Sequence, residues 1–133
     1  SRWLYMDINR RRPVRITPEI MDRYESEPET HVFTEKVNRI DPPDTGYIEI
    51  PYNILRRDVD YLGHMHNISY LDAAYDVMPE EYFNGPQFNF VSIEYRKELL
   101  RNDEVKAHFY KIDKGCIISL NTDKINAVIM LKY

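Results

Sequence analysis

The sequence predicts an α+β fold, on three observations. Residues Ile68 to Met78 are apolar at helical spacing almost all the way round. Six other stretches, most of them late in the chain, read as strands separated by turn residues. The order is strand, helix, then strands in series, so helix and sheet are segregated rather than alternating.

Taken in order, Trp3–Ile8 reads as a short strand with no partner close in sequence, followed by Arg10, Arg11 and Arg12, a solvated loop rather than a binding site. Thr17-Pro18-Glu19 is a helix start: Thr suits the cap, Pro the first helical position, and an acid the positive end of the dipole. Ile20, Met21 and Tyr24 give that helix one apolar face. Residues 27 to 45 are linker-like, with Pro28, Pro42 and Pro43 and, before Val37, only Val32 and Phe33 as apolar anchors. The main domain is expected to begin near Gly46.

Tyr47, Ile48, Ile50, Tyr52 and Ile54 form the first strand of that domain. The helix is expected to start at His66 or Asn67 and to end near Pro79. Ile68, Leu71, Ala74, Tyr75 and Met78 lie on its apolar face, Ala73 and Ala74 permit close approach of a sheet, and Asp72 and Asp76 face solvent. After the turn signal Asn84-Gly85-Pro86 come strands at Phe88–Leu99, Val105–Ile112, Cys116–Asn121 and Ala127–Tyr133, with Asp113-Lys114-Gly115 as a hairpin turn.

The totals narrow the function. A chain of 133 residues has room for one domain of ordinary size, and 43% apolar with 30% charged residues describes a soluble globular chain. A net charge of −4 argues against general nucleic-acid binding. No apolar run approaches the ~20 residues of a membrane span. No signal peptide is expected in the opening residues. The single cysteine, Cys116, excludes an internal disulfide, fits a reducing, cytoplasmic setting, and lies in an apolar strand where it reads as a buried small hydrophobe.

Asp58, Asp60, His64 and His66 crowd the loop that leads into the helix. Unpaired N–H groups at a helix start favour a developing oxyanion, so a loop carboxylate and a histidine there suggest hydrolytic chemistry. Asp58 reads first as a turn cap or a partner of Arg56 or Arg57. Spacing alone leaves Asp60 open between a cap and a catalytic group. Gly63 permits unusual backbone angles or a ligand's close approach. Two histidines at i, i+2 beside aspartates are weak evidence for zinc, and no phosphate-binding glycine loop exists. No metal and no cofactor is expected. Glu94 and Glu98 are expected on one face of one strand, and periodicity does not say which reaches the helix start.

The run from Asp58 to Tyr70 resembles the signature of hotdog-fold thioesterases, most of all the acyl-acyl carrier protein thioesterases of plants and bacteria. Their pattern, D-x-D-x-N-x-H-V-N-N-x-x-Y, stands here as Asp58, Asp60, Leu62, His64, Met65, His66, Asn67 and Tyr70. Met78-Pro79-Glu80-Glu81 resembles the family's helix exit, and Ile93-Glu94-Tyr95-Arg96-Lys97-Glu98 its E-Y-R-R-E-C strand. Arg2–Met6, Arg11-Arg12-Pro13 and Pro18-Glu19 resemble the end of a preceding domain and its linker. The resemblance implies a hotdog fold, a long helix wrapped by an antiparallel sheet, with residues 1–28 ending a first hotdog domain plus linker helix and 29–133 forming the C-terminal one.

It implies hydrolysis of fatty acyl-acyl carrier protein in fatty acid biosynthesis, in a cytoplasm that is bacterial rather than plastid. Carried over, the catalytic Asp falls on Asp60, the His on His64 and the Glu on Glu98, with Leu62, Gly63, His66 and Asn67 at the substrate. Backbone N–H groups near His66 and Asn67 would polarise the thioester carbonyl. Leu62 replaces the family's Asn, Leu99 the Cys after the Glu, and His66 another Asn. Leu99 removes any cysteine nucleophile. The Asp-x-Leu-Gly-His form also resembles hotdog thioesterases acting on coenzyme A esters, and Leu62 leaves open a hotdog domain that only binds or assembles. Arg10, Arg11, Arg12, Arg56, Arg57, Arg96, Lys97 and Arg101 are the basic residues available for docking an acidic carrier protein. A lone hotdog domain is expected to form a homodimer, or a pseudo-dimer with a first domain.

Overall fold

The computed structural model describes residues 5–10, 12–25, 27, 29–30 and 38–133. The chain divides into two compact units, 1–37 and 38–133. In the first, β1 (Met6–Asp7) pairs antiparallel with β2 (Arg12–Pro13). The strand expected over Trp3–Ile8 is therefore not a lone one. Asp7 makes the return: its Oδ1 accepts the N–H groups of Asn9 and Arg10 at 3.0 and 2.9 Å. Helix α1 (Pro18–Arg23) starts where Thr17-Pro18 predicts, although the Thr17 side chain makes no capping bond. Arg2, Trp3, Leu4, Arg11, Pro28, Val32, Phe33 and Val37, and the readings that rest on them, lie outside the described residues.

The second unit is a five-stranded antiparallel sheet packed on a short helix. Its strands are β3 (Tyr47–Tyr52), β4 (Phe90–Tyr95), β5 (Val105–Ile112), β6 (Gly115–Asn121) and β7 (Ile125–Lys132), in the order β3-β5-β6-β7-β4. Between β3 and β4 in sequence lie a 3₁₀ turn (Arg56–Asp58), α2 (Ser69–Asp76) and a single helical turn, α3 (Glu80–Phe83). Alternation decides the faces. Val105, Ala107 and Phe109, then Cys116, Ile118 and Leu120, then Ala127, Ile129 and Leu131 point to the helix side, where Tyr70, Ala73, Ala74, Val77 and Met78 meet them. Each fully buried Leu or Ile in this layer contributes roughly 1.5–3 kcal/mol.

Helix α2 is shorter than its sequence suggests. It begins at Ser69, not His66 or Asn67, because the His66 N–H is already bound to the Asp58 carbonyl at 2.8 Å. It ends at Asp76 with Val77 as cap, before Pro79. Of the expected apolar face, Ala74 and Met78 are buried and Leu71 packs partly against the core, but Ile68 and Tyr75 are exposed; Tyr70, Ala73 and Val77 are buried in their place.

The opposite face of the sheet holds a second apolar cluster of Tyr110, Ile117 and Val128, joined by Ile40. Ile40 precedes the expected start of the domain at Gly46 and is drawn in by a clamp on β4. Glu94 Oε2 accepts the Ile40 N–H at 2.8 Å, Arg96 donates to the Ile40 carbonyl, and Glu94 and Arg96 pair at 2.9 Å. No described helix is long and apolar enough to cross a membrane.

A two-residue turn, Asp113-Lys114, joins β5 to β6, with Lys114 in the left-handed region at φ +57° and Gly115 at φ +155°. A Cβ on Gly115 would run into the Leu131 carbonyl of the paired strand. Gly115→Ala is expected to cost at least about 2 kcal/mol by this clash and strain. Urea unfolding checks it, and a loss below ~1 kcal/mol would show that the β6–β7 ladder yields there.

Candidate active site

The loop between the 3₁₀ turn and α2 is a tight reversal built on two aspartates. Buried Asp58 closes its base: Oδ2 accepts the Leu55 N–H at 2.7 Å, and its carbonyl accepts the His66 N–H. Its Oδ1 also lies 3.8 Å from Arg57, so the reading of Asp58 as a turn cap with an arginine partner describes it fully.

Asp60 organises the tip. Its N–H donates to the His64 carbonyl at 2.8 Å and its carbonyl accepts the Gly63 N–H at 3.0 Å. Its Oδ1 accepts the N–H groups of Leu62 and His64 at 2.8 and 3.0 Å. Gly63 sits at φ +82°, with nothing near the place a Cβ would take, so the demand for glycine there is conformational. The His64 N–H, ahead of the opposing cost of desolvation, holds the Asp60 carboxyl below its usual range; the Leu62 N–H and the charges of His64 and His66 act in the same direction.

The returning arm of the loop lies along residues 99–101. The Met65 N–H donates to the Leu99 carbonyl at 2.8 Å, the Arg101 N–H to the Gly63 carbonyl at 3.3 Å, and His64 bridges Leu100. This pairing brings His64 to Glu98, with Nε2 and Oε2 3.7 Å apart. Both side chains are accessible, at 40% and 59% exposure.

Glu98 is not on a strand with Glu94, as the pattern of residues 88–99 suggests. β4 ends at Tyr95, and both Arg96 and Lys97 donate to the Asn126 carbonyl, which turns the chain outward. Glu94 is spent on the Ile40 clamp. The two glutamates thus part company, and only Glu98 reaches the loop.

Of the remaining expected residues, Leu62 is 61% exposed and His66 and Asn67 are exposed too. The His66 N–H is taken by Asp58, which removes it as an oxyanion donor. Among the described residues the N–H groups of Asn67 and Ile68 have no acceptor, so the free donors at the start of α2 lie one residue further on than expected. The Asn67 carbonyl is held by the Tyr95 hydroxyl at 3.0 Å, and the Tyr70 and Tyr95 rings meet edge to face at 5.1 Å. Tyr95 is a support the sequence reading missed; its place between Glu94 and Arg96 gave no sign of it. Among the described residues no three metal-ligating side chains are grouped. Burial pushes the Cys116 thiol up to about 12, which makes it inert at neutral pH. Of the basic residues, Arg96 is locked to Glu94, Asp41 and Ile40, and Lys97 pairs with Asp123 at 3.2 Å, whereas Arg56, Arg57 and Arg101 remain exposed.

Comparison with known proteins finds relatives in sequence and in fold. The family model described as the acyl-ACP thioesterase C-terminal domain matches residues 43–131. The oleoyl-acyl carrier protein thioesterase 2 of Arabidopsis thaliana, chloroplastic, is 25% identical over 115 residues, which is 79% of this chain and 31% of that protein. Among solved structures, one designated an oleoyl thioesterase from Lactobacillus plantarum superposes with a TM-score of 0.74 at 24% identity, covering 98% of this chain and 53% of that one. A 12:0-ACP thioesterase from Umbellularia californica gives 0.73 at 14% identity, over 96% and 52%. The fold is the α+β hotdog, with the correction that its helix is short. The chain spans about a third of the plant relative and about half of each solved one.

Asp60 also generates a test of the loop. Its carboxyl is depressed in the fold, so it contributes stability above the unfolded value of 3.8, and that contribution is lost as pH falls through the lower folded value. Asp60→Asn keeps an oxygen for the two N–H groups but not the charge. Unfolding measured at pH 7 and at pH 3 and below is expected to show the variant less stable at pH 7 and the difference shrinking at acid pH. A difference that does not change with pH would mean that the charge has no part in holding the loop.

Proposed function

Because the chain belongs to the family of acyl-ACP thioesterase C-terminal domains, we propose that the protein hydrolyses the thioester of a fatty acyl group on acyl carrier protein and releases the free fatty acid, a step of fatty acid biosynthesis. The observation that carries this reading is the accessible His64–Glu98 pair, brought together where the loop lies along Leu99 and Leu100. Residues 1–28 are read as the end of a preceding hotdog domain with its linker helix, and 29–133 as the C-terminal domain.

Glu98 takes the base role and Asp60 does not. Asp60 is held ionised by two N–H groups, which makes it the poorer proton acceptor near neutral pH. Water attacks the thioester carbonyl carbon and gives its proton to Glu98, with His64 orienting the carboxylate and the water. The oxyanion of the tetrahedral intermediate forms against the Asn67 and Ile68 N–H groups. The C–S bond then breaks and the departing sulfur receives the proton from Glu98, leaving acid and thiol. Asp60 fixes the loop and adds the charge that keeps His64 in register, while Leu62 and Gly63 line the approach of the acyl thioester. Arg56, Arg57 and Arg101 are the exposed cations of this domain suited to an acidic carrier.

Thiol release by the intact protein tests this, with acyl-carrier and acyl-coenzyme A substrates over a series of chain lengths. Glu98→Ala and Asp60→Ala are each expected to lower turnover by at least about 10². Near-normal turnover in either removes that residue from the chemistry. Faster release from coenzyme A esters than from carrier substrates would move the reading to that class, and no release from any thioester would leave a domain that only binds.

The sheet ends on two edge strands, with Tyr47 and Ile48 of β3 and Phe90, Val91 and Tyr95 of β4 exposed. Such edges call for a partner. We infer a second hotdog unit there, a first domain in a longer chain or a second copy of this one. Light scattering of the 133-residue chain is expected to give a dimer; a monomer at micromolar concentration would contradict it.

A further inference from the structure

We propose that Asn126 is a positioning residue for the reaction, acting on Glu98 through the backbone; this rests on the reading of Glu98 as the base. Asn126 is a fully buried polar side chain in the apolar strand β7, and every polar atom of that side chain has a partner. Its carbonyl accepts the N–H groups of both Arg96 and Lys97, at 2.8 and 3.0 Å. Two donors on one acceptor break the β4–β7 ladder immediately after the Tyr95–Ala127 pair and force the chain to turn. The side chain then completes the turn, because Nδ2 donates to the Glu98 carbonyl at 3.1 Å. Residues 96 to 98 are wrapped around one asparagine.

Its other end is anchored in the β6–β7 turn. Oδ1 accepts the N–H of Thr122 at 2.9 Å, a donor shared with the Lys124 carbonyl, and the Thr122 hydroxyl lies 2.9 Å from both Oδ1 and Asp123 Oδ1, with one proton to give. One amide therefore joins the turn to the glutamate, accepting on one side and donating on the other whatever the pH. The N–H of the same peptide, that of Leu99, is bound by the Tyr70 hydroxyl at 3.2 Å. The Glu98–Leu99 peptide is thus held at both its carbonyl and its N–H, and the Lys97 N–H is held before it, so the Glu98 side chain leaves a fixed segment toward His64. A displacement of about 1 Å at such a group can cost on the order of 10² in rate without touching the substrate.

Asn126→Asp is the informative change. It keeps the volume and the acceptor for Thr122, and it can donate to the Glu98 carbonyl only when protonated. The charged groups near it are Arg96, Lys97 and Glu98 on the segment it holds, Asp123 and Lys124 in the turn, and His64 beyond Glu98. In the intact protein the variant is expected to lower kcat by about 10-fold or more with KM little changed, and the ratio of variant to parent kcat is expected to rise as pH falls. In a Glu98→Gln background it should add almost nothing, since it acts through that side chain. Thr122→Val, which removes the hydroxyl shared by Asn126 Oδ1 and Asp123 and keeps the N–H bond to Oδ1, should give a smaller fall of the same kind and serves if Asn126→Asp fails to fold. Normal kcat in both variants, or losses that add in full to that of Glu98→Gln, would overturn the assignment of Asn126. A Glu98→Gln protein that turns over normally would instead overturn the reading of Glu98 itself.

Discussion

The Leu99 peptide is the joint on which the rest depends. Its side chain is fully buried, its N–H is bound to the Tyr70 hydroxyl of α2, and its carbonyl is bound to the Met65 N–H of the loop. Helix, loop and sheet exit therefore meet at one residue. An unpaired buried peptide group costs about 1–3 kcal/mol, so both bonds are effectively obligatory once Leu99 is in the core. With the core placing Leu99, the bonds place Glu98 on one side and the returning loop arm on the other. The 3.7 Å approach of His64 to Glu98 follows from this packing and does not need a strong attraction between two accessible groups.

Four carboxylates in this domain differ in what surrounds them. Asp58 is buried, with its oxygens given to a turn. Asp60 is bound by two N–H groups and stays ionised. Glu94 clamps the Ile40 segment across the outer face of the sheet. Of the four, Glu98 alone makes no hydrogen bond to the chain through its carboxylate among the described residues; it faces His64, and the proposed reading gives it the base role. A base needs that freedom, and a structural carboxylate is defined by its loss.

Elements with a strong period were legible in the sequence, and features made by long-range hydrogen bonds were not. Val105–Ile112 is legible to the residue, because alternation between Val105, Ala107 and Phe109 on the core face and Lys106 and His108 on the other is a local property. The bounds of α2 are not, since His66 is withheld from the helix by a bond to Asp58, which no periodicity records. The end of β4 was misplaced for a like reason: the sequence continues strand-like through Leu99, but the Asn126 carbonyl takes two N–H groups and turns the chain out. Asn126 did leave one signal, a polar residue in an otherwise apolar strand, Ile125 to Leu131. Asp60, His64 and Glu98 were assigned through the family resemblance; spacing alone could not choose between Glu94 and Glu98, because the choice is made by a bulge 28 residues away in sequence.

Leu62, the break in the family pattern, changes meaning in this light. The position does two separable things. Its N–H donates to Asp60 Oδ1, a backbone duty that any residue but proline performs, so the loop forms whatever side chain stands there. The side chain itself is exposed beside the still more exposed Tyr61. Replacing an amide by Leu therefore leaves the loop geometry and the His64–Glu98 approach in place, and removes a hydrogen-bonding group from the side that meets the substrate. On the proposed reading, the burden of ordering the attacking water shifts to His64 and Glu98. That makes the backbone bonds that hold the Glu98 segment more important here than in a site where a third polar side chain shares the work.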